Sequence, residues 1–308
     1  MEKNVIENKD TTEIKAKKKV KNYKMRFQVS DGIILAVLVI FALLIVLPFI
    51  NVIAISFTTP KAYADTPLLL FPKVFTLENY ETLFQDGRIM IGYRTSGKLL
   101  LMAMPLNMFL TTTIAYGLSR TGYPGRKFLL KFVVFTMLFS GGIVPLYMTI
   151  KSYGLIGSMW GVALSQGINT FYMIIMLNFF QSLSESLVES AKLDGAGEFK
   201  ILWKIILPLS KPVIATVFLY YLVDRWNEWY NAMIFVRDTQ NTPLQLVLRN
   251  IVLDSQNIDN IVSESIELFT FSAGIKMGAV VVTVIPVMCI YPFLQKYFTK
   301  GIMLGAVK

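Results

Sequence analysis

The sequence predicts an all-α integral membrane protein with six transmembrane helices, and three observations carry that prediction. Of the 308 residues, 54% are hydrophobic and 16% charged, with a mean hydropathy of +0.55. A soluble domain carries about a quarter charged residues. Six apolar runs recur along the chain, each long enough to cross a hydrocarbon core that about 20 residues span. The net charge of +10 falls into the short segments between those runs. That placement follows membrane topology and forms no basic groove for nucleic acid.

The chain divides accordingly. Residues 1–30 are a lysine-rich tail, too polar to fold alone and able to lie against anionic lipid. Residues 31–57 are the first helix, uncharged from Ile33 to Phe57. That run is too long for a cleaved signal, and Ser56-Phe57-Thr58 offers no small-x-small cleavage site. Residues 58–94 mix charges, prolines and aromatics as an external loop. Residues 95–298 hold five more spans, with apolar runs at 99–119, 132–150, 155–180, 213–236 and 271–294, and residues 299–308 form a tail. Gly141-Gly142 and Pro145 predict a loosened last turn in the third span. Pro286 and Pro292 break the sixth.

Orientation follows from the basic residues. The tail, the segment with Arg120, Arg126, Lys127 and Lys131, and the C-terminal end with Lys296, Lys300 and Lys308 share one side. Segment 237–271 sets five acids against Arg237 and Arg249 and faces the other. Both termini are therefore expected on the cytoplasmic side.

Several chemistries are excluded. The chain has no histidine, and Cys289 is its one cysteine. Ser-His-Asp and Cys-His catalysis, histidine-bearing zinc sites and an intrachain disulfide all fall away. Cys289 lies in an apolar run, which predicts a buried packing role. Gly92 to Lys98 has the glycine and lysine spacing of a phosphate loop. Leu99 stands where that loop needs a hydroxyl for magnesium. No constellation suits a membrane enzyme.

Two polar segments remain. Segment 181–212 is too polar for lipid. Ser182 and Glu185 have capping-box spacing, which predicts a helix with Leu183, Leu187, Val188 and Ala191 on one side. Asp194-Gly195 breaks it, and a second helix follows with Phe199, Leu202, Trp203 and Ile206 in one stripe, ended by Pro208 and Pro212. The fifth span carries Asp224, Arg225, Trp226, Asn227, Glu228, Trp229 and Asn231. Ionisable groups at membrane depth face a bundle interior or a watery cavity. Helical spacing puts Asp224 with Glu228, and Asn227 with Asn231. Aromatic faces beside amides and carboxylates suit a sugar. A plain alternative is an interfacial aromatic belt, with Arg225 paired to Glu228. Gly157/Gly161 and Gly274/Gly278 predict close helix packing.

The order Glu189-x-Ala191-x-x-Asp194-Gly195-Ala196, then Leu207-Pro208, resembles the "EAA" signature of permease subunits of bacterial ABC importers, with Ser190 replacing one alanine. The likeness runs from about Arg94 to the C-terminus. It includes Ala115 to Arg120, Ser140 to Pro145, the Trp-Asn stretch of the fifth span and the closing segment, and it looks most like the oligosaccharide branch. The resemblance implies a type I ABC importer permease (MetI-like) fold in a bacterial cell membrane. It implies a heterodimer with a second permease, two copies of a cytoplasmic ATPase holding ATP and magnesium, and an extracellular solute-binding lipoprotein. Glu189, Ala191, Asp194, Gly195, Ala196, Phe199, Leu202, Leu207 and Pro208 would form the ATPase-coupling loop. Gly301, Gly305 and Lys308 would touch the ATPase, and 237–271 would face the binding protein. Asp224, Trp226, Asn227, Glu228, Trp229 and Asn231 would line the oligosaccharide cavity. The chain itself would bind no cofactor. The alternatives are an importer of another solute, such as an amino acid or phosphate, and an ion-coupled secondary transporter using Asp224 and Glu228.

Overall fold

A computed structural model describes residues 29–65, 69–122, 124–261, 273–290 and 292. Every regular element among them is helical. Helix α1 (Val29–Ser56) is apolar around its whole circumference, the pattern of a helix meant for lipid. Its residues up to Phe49 belong to one compact unit, and the chain from Ile50 onward forms another.

In the second unit, α2 (Pro60–Asp65) and α3 (Glu78–Gln85) lead into α4 (Arg88–Ser119), a helix of 32 residues. This helix begins at Arg88, within the segment 58–94 expected to be an external loop. The reason is a partner. α13 (Leu244–Ile261) lies along the early turns of α4. A Cβ on Gly92 would come within 2.9 Å of the Leu244 Cα, and the Leu244 N–H donates to Ser96 Oγ at 2.9 Å. The stretch that mimics a phosphate loop is thus helix, with its glycine serving close approach.

Three helix pairs are bent at short breaks. α5 (Arg126–Leu138) and α6 (Ile143–Ser152) meet at 115°. The expected loosened turn is a full break, because Gly142 takes φ +82, which directs the backbone out of the helix. α7 (Met159–Ser165) and α8 (Thr170–Ser182) meet at 53°. After α9 (Glu185–Leu193), α10 (Glu198–Leu209) and α11 (Lys211–Trp226) meet at 85°. α12 (Tyr230–Phe235) and α13 follow, then α14 (Ala273–Ile290). Among the described residues, three helices are long and apolar enough to span alone, and up to six spans result when each bent pair counts as one.

α4 is the axis, packing on α8, α11 and α13. Gly161 and Gly274 are tight, a Cβ on either meeting atoms at 2.6 Å, whereas Gly157 sits in a turn at φ +87. Cys289 is exposed on the outer face of α14, contrary to the buried role expected. An apolar run does not distinguish a side facing protein from one facing lipid.

Candidate functional site

The knob is α9, a glycine corner and α10. Its inner face belongs to a core shared with α4, α8 and α11: Val188, Ala191, Ile201, Leu202 and Ile206 are buried there. The corner is a Schellman closure, with the Ala196 N–H donating to the Ala191 carbonyl at 2.9 Å and that of Gly195 to Lys192 at 3.0 Å. The closure needs a left-handed residue after the helix, and Gly195 supplies it at φ +75.

Three details differ from expectation. The capping box at Ser182 and Glu185 does not form. Ser182 is the last residue of α8 and donates back to the Phe179 carbonyl, while Glu185 accepts from Thr121 at 3.0 Å. The second stripe splits, with Leu202 and Ile206 buried but Phe199 and Trp203 exposed. Pro208 does not end α10. A π-turn over Leu202–Ile206, closed by the Leu207 N–H on the Leu202 carbonyl, carries the helix past the proline to Leu209. Pro212 opens α11, where its missing N–H is tolerated.

The outward side is apolar. Leu193 is 89% exposed, Phe199 70% and Trp203 52%, with the last two rings 6.0 Å apart. Glu189, Asp194 and Pro208 are exposed beside them, and Ala196 and Leu207 are half-buried. Behind the corner stands a polar cluster that the sequence reading missed. Lys192 Nζ lies 2.7 Å from Glu198 Oε1, and the Tyr116 hydroxyl donates to Glu198 Oε2. The Arg120 guanidinium lies 4.3 Å over the Tyr116 ring. The Lys192 ammonium and the tyrosine hydroxyl, both donating, hold the Glu198 carboxyl below the usual glutamate range.

The second polar segment straddles the end of α11. That helix stops at Trp226, so Glu228 lies beyond it, and the expected helical spacing from Asp224 to Glu228 and from Asn227 to Asn231 does not apply. Asp224, Asn227, Glu228, Trp229 and Asn231 nonetheless line one open depression with Gln166 and Tyr230. Trp226 lies apart, buried, with its indole N–H donating to the Thr283 carbonyl at 3.3 Å. Asp224 accepts from the Tyr172 hydroxyl at 2.8 Å. Glu228 accepts from the backbone N–H and the side-chain amide of Asn231, at 2.9 and 3.0 Å. Asn227 accepts from Gln245 at 3.0 Å, and Arg249 lies 5.2 Å over the Trp229 ring.

Arg225 is buried and is not among the residues that line the depression. Its Nε donates to Asn107 Oδ1 at 3.1 Å and its Nη2 to the Gln166 carbonyl, and Nη1 stands 3.8 Å from Glu228. The Asn107 amide donates to the Gln166 and Gly167 carbonyls. These carbonyls are freed by the break between α7 and α8, and at membrane depth they need side-chain donors. An asparagine inside the second apolar run and Gln166-Gly167 inside the fourth are the signals that could have marked this junction. Gly301, Gly305 and Lys308, with the end of segment 237–271, lie outside the described residues.

Residues 99–304 match the family described as binding-protein-dependent transport system inner membrane component. The chain belongs to that family. The permease is 42% identical to the polygalacturonan/rhamnogalacturonan transport system permease protein YtcP of Bacillus subtilis, over 92% of this chain and 100% of the relative. It is 40% identical to the protein LplC of Bacillus subtilis, over 85% of this chain and 89% of the relative. A crystal structure of a bacterial ABC transporter involved in the import of the acidic polysaccharide alginate contains a chain that superposes with a TM-score of 0.79. That chain is 30% identical, and the match covers 89% of this chain and 99% of that one. The permease is therefore a multi-pass membrane subunit with the type I importer permease fold. It serves a binding-protein-dependent transport system and is a transport component, not an enzyme.

Proposed function

We propose that this permease imports oligosaccharides as one half of a heterodimer with a second permease. Two copies of a cytoplasmic ATPase drive it, and an extracellular solute-binding lipoprotein delivers the cargo. ATP and magnesium reside on the ATPase. Both termini and the knob lie in the cytoplasm, as the Lys/Arg asymmetry of the short segments favours. Closure of the ATPase pair pulls the knobs, the permeases rock, and a cavity between them opens alternately outward and inward.

The observation that carries the coupling is the outward apolar face of the knob, where Leu193, Phe199 and Trp203 stand exposed around a corner fixed by Gly195. Contiguous exposed apolar side chains beside polar ones mark an interaction site. Support for the cargo comes from the depression, in which the Trp229 and Tyr230 rings sit beside Asp224, Asn227 and Glu228. It comes also from the polysaccharides named for YtcP and the alginate importer. Gly301, Gly305 and Lys308 would complete the ATPase contact.

The test is purification from the native membrane in mild detergent. The parent chain is expected to bring a second permease and an ATPase, and Gly195→Asp is expected to lose the ATPase alone. Recovery of a homo-oligomer without ATPase in both samples would overturn the reading and turn attention to Asp224 and Glu228 as ion-coupling groups. Uptake of oligogalacturonides and of neutral galactooligosaccharides by vesicles holding the intact complex then distinguishes acidic from neutral cargo.

A further inference from the structure

The knob is fastened to the membrane helices in two ways. Its inner apolar face packs on α4, α8 and α11, and α10 continues into α11 through the buried Ser210. At the corner a polar contact with α4 is added to this packing. Tyr116 and Arg120, at the end of α4, meet Lys192 from the last turn of α9 and Glu198 from the first turn of α10. One carboxylate thus collects three elements, and Tyr116 lies 82 positions from it in the chain.

The chemistry makes this a directional contact. Glu198 has two oxygens with separate donors: Oε1 takes Lys192 Nζ, and Oε2 takes the Tyr116 hydroxyl, with Arg120 Nε at 3.9 Å. The Arg120 guanidinium stacks on the Tyr116 ring and adds a cation–π contact on the same side. Apolar packing permits sliding, whereas hydrogen bonds to a charged group fix both distance and angle. Phe199 and Trp203, the exposed rings of α10, are not among the groups that hold the Glu198 carboxylate.

We propose that Glu198 is a positioning residue that latches the knob to the end of α4, so that a displacement of the knob carries α4 with it as one body. The inference rests on the knob being the ATPase-docking element. Through α10 the pull reaches α11 directly, and through Glu198 it reaches α4, the helix against which α8, α11 and α13 are all packed. Without the latch the knob tilts on its apolar face, and ATPase closure is spent within the loop.

The experiment is a distance measurement inside this chain, in the assembled complex. Spin labels at Leu101→Cys, exposed on α4, and Lys204→Cys, exposed on α10, in a Cys289→Ser background, report the knob against the span. Double electron–electron resonance is recorded without nucleotide and after trapping with ATP and vanadate. With the latch intact, the distance distribution is expected to stay narrow and unmoved by trapping. In Glu198→Gln, and separately in Tyr116→Phe, it is expected to broaden and to shift on trapping while the ATPase still co-purifies. A merely structural role would reduce the yield of complex and leave the distribution of the surviving complex unchanged. The latch is overturned if the parent distance itself shifts on trapping, or if the distributions of the variants match the parent. If Glu198→Gln does not assemble, Tyr116→Phe decides. If no ATPase accompanies the parent, the docking reading fails by itself, and the latch is judged without nucleotide: variants no broader than the parent overturn it.

Discussion

Arg225 shows how far a residue's place can be from what its type suggests. A guanidinium in a span of a sugar transporter invites a role in binding acidic cargo. Here it is buried, bonded to Asn107 and the Gln166 carbonyl, and absent from the lining of the depression. Its work is to hold the break between α7 and α8 against α4 and α11. Replacing a buried, bonded charge leaves its partners unsatisfied, which costs about 3–5 kcal/mol where a buried pair is broken. Arg225→Met is therefore expected to lower the midpoint of thermal unfolding of the purified complex. The transport that survives should rank acidic and neutral oligosaccharides as the parent does. A changed ranking with unchanged stability would place the guanidinium in the cargo path after all.

At the scale of the element, α10 has two faces with separate tasks. Ile206 is buried with 1% exposure, while Phe199 and Trp203 face outward. Truncating a buried isoleucine costs about 2–5 kcal/mol. Ile206→Ala should thus destabilise the complex to heat and retain its ATPase until it unfolds. Phe199→Ser with Trp203→Ser should do the reverse, keeping thermal stability while the co-purifying ATPase is lost. Equal loss of stability in both would mean that the outer rings belong to the core. The sequence made the knob legible because turn chemistry and a helical stripe are local. Asp194-Gly195 announced the corner, and the period announced α10. The same locality misled elsewhere. The stripe ran wider than the patch that α4, α8 and α11 cover, so half of it stayed outside. The capping box failed because Ser182 was already committed to α8. The breaks at Gly142 and at Gln166-Gly167 sit in apolar runs, where hydropathy registers a single span. The second break is held by Asn107 and Arg225, which lie 59 to 60 and 59 positions away from the carbonyls they serve. Glu198 escaped notice for the same reason, since its significance lies in Tyr116.

For the whole molecule, the decisive quantity is the side of the membrane on which each polar segment lies. The short basic segment between α4 and α5 and the knob share the Glu198 cluster and the Thr121–Glu185 hydrogen bond, so they lie on one side together. The start of α4 and the second half of α13 are likewise tied, Arg88 reaching Asp254 at 3.1 Å. These two sets sit at opposite ends of α4, which at about 1.5 Å per residue is long enough to separate them by more than a hydrocarbon core. Lysine and arginine without acids favour the cytoplasm. In a Cys289→Ser background, Lys204→Cys is then expected to react with a membrane-impermeant maleimide only after permeabilisation of the cells. Asp254→Cys should react in intact cells. Labelling from outside at position 204 would invert the orientation and remove the knob from the reach of any cytoplasmic ATPase. Labelling of both positions from one side would contradict α4 as a span, and with it the use of α4 as the lever that Glu198 holds.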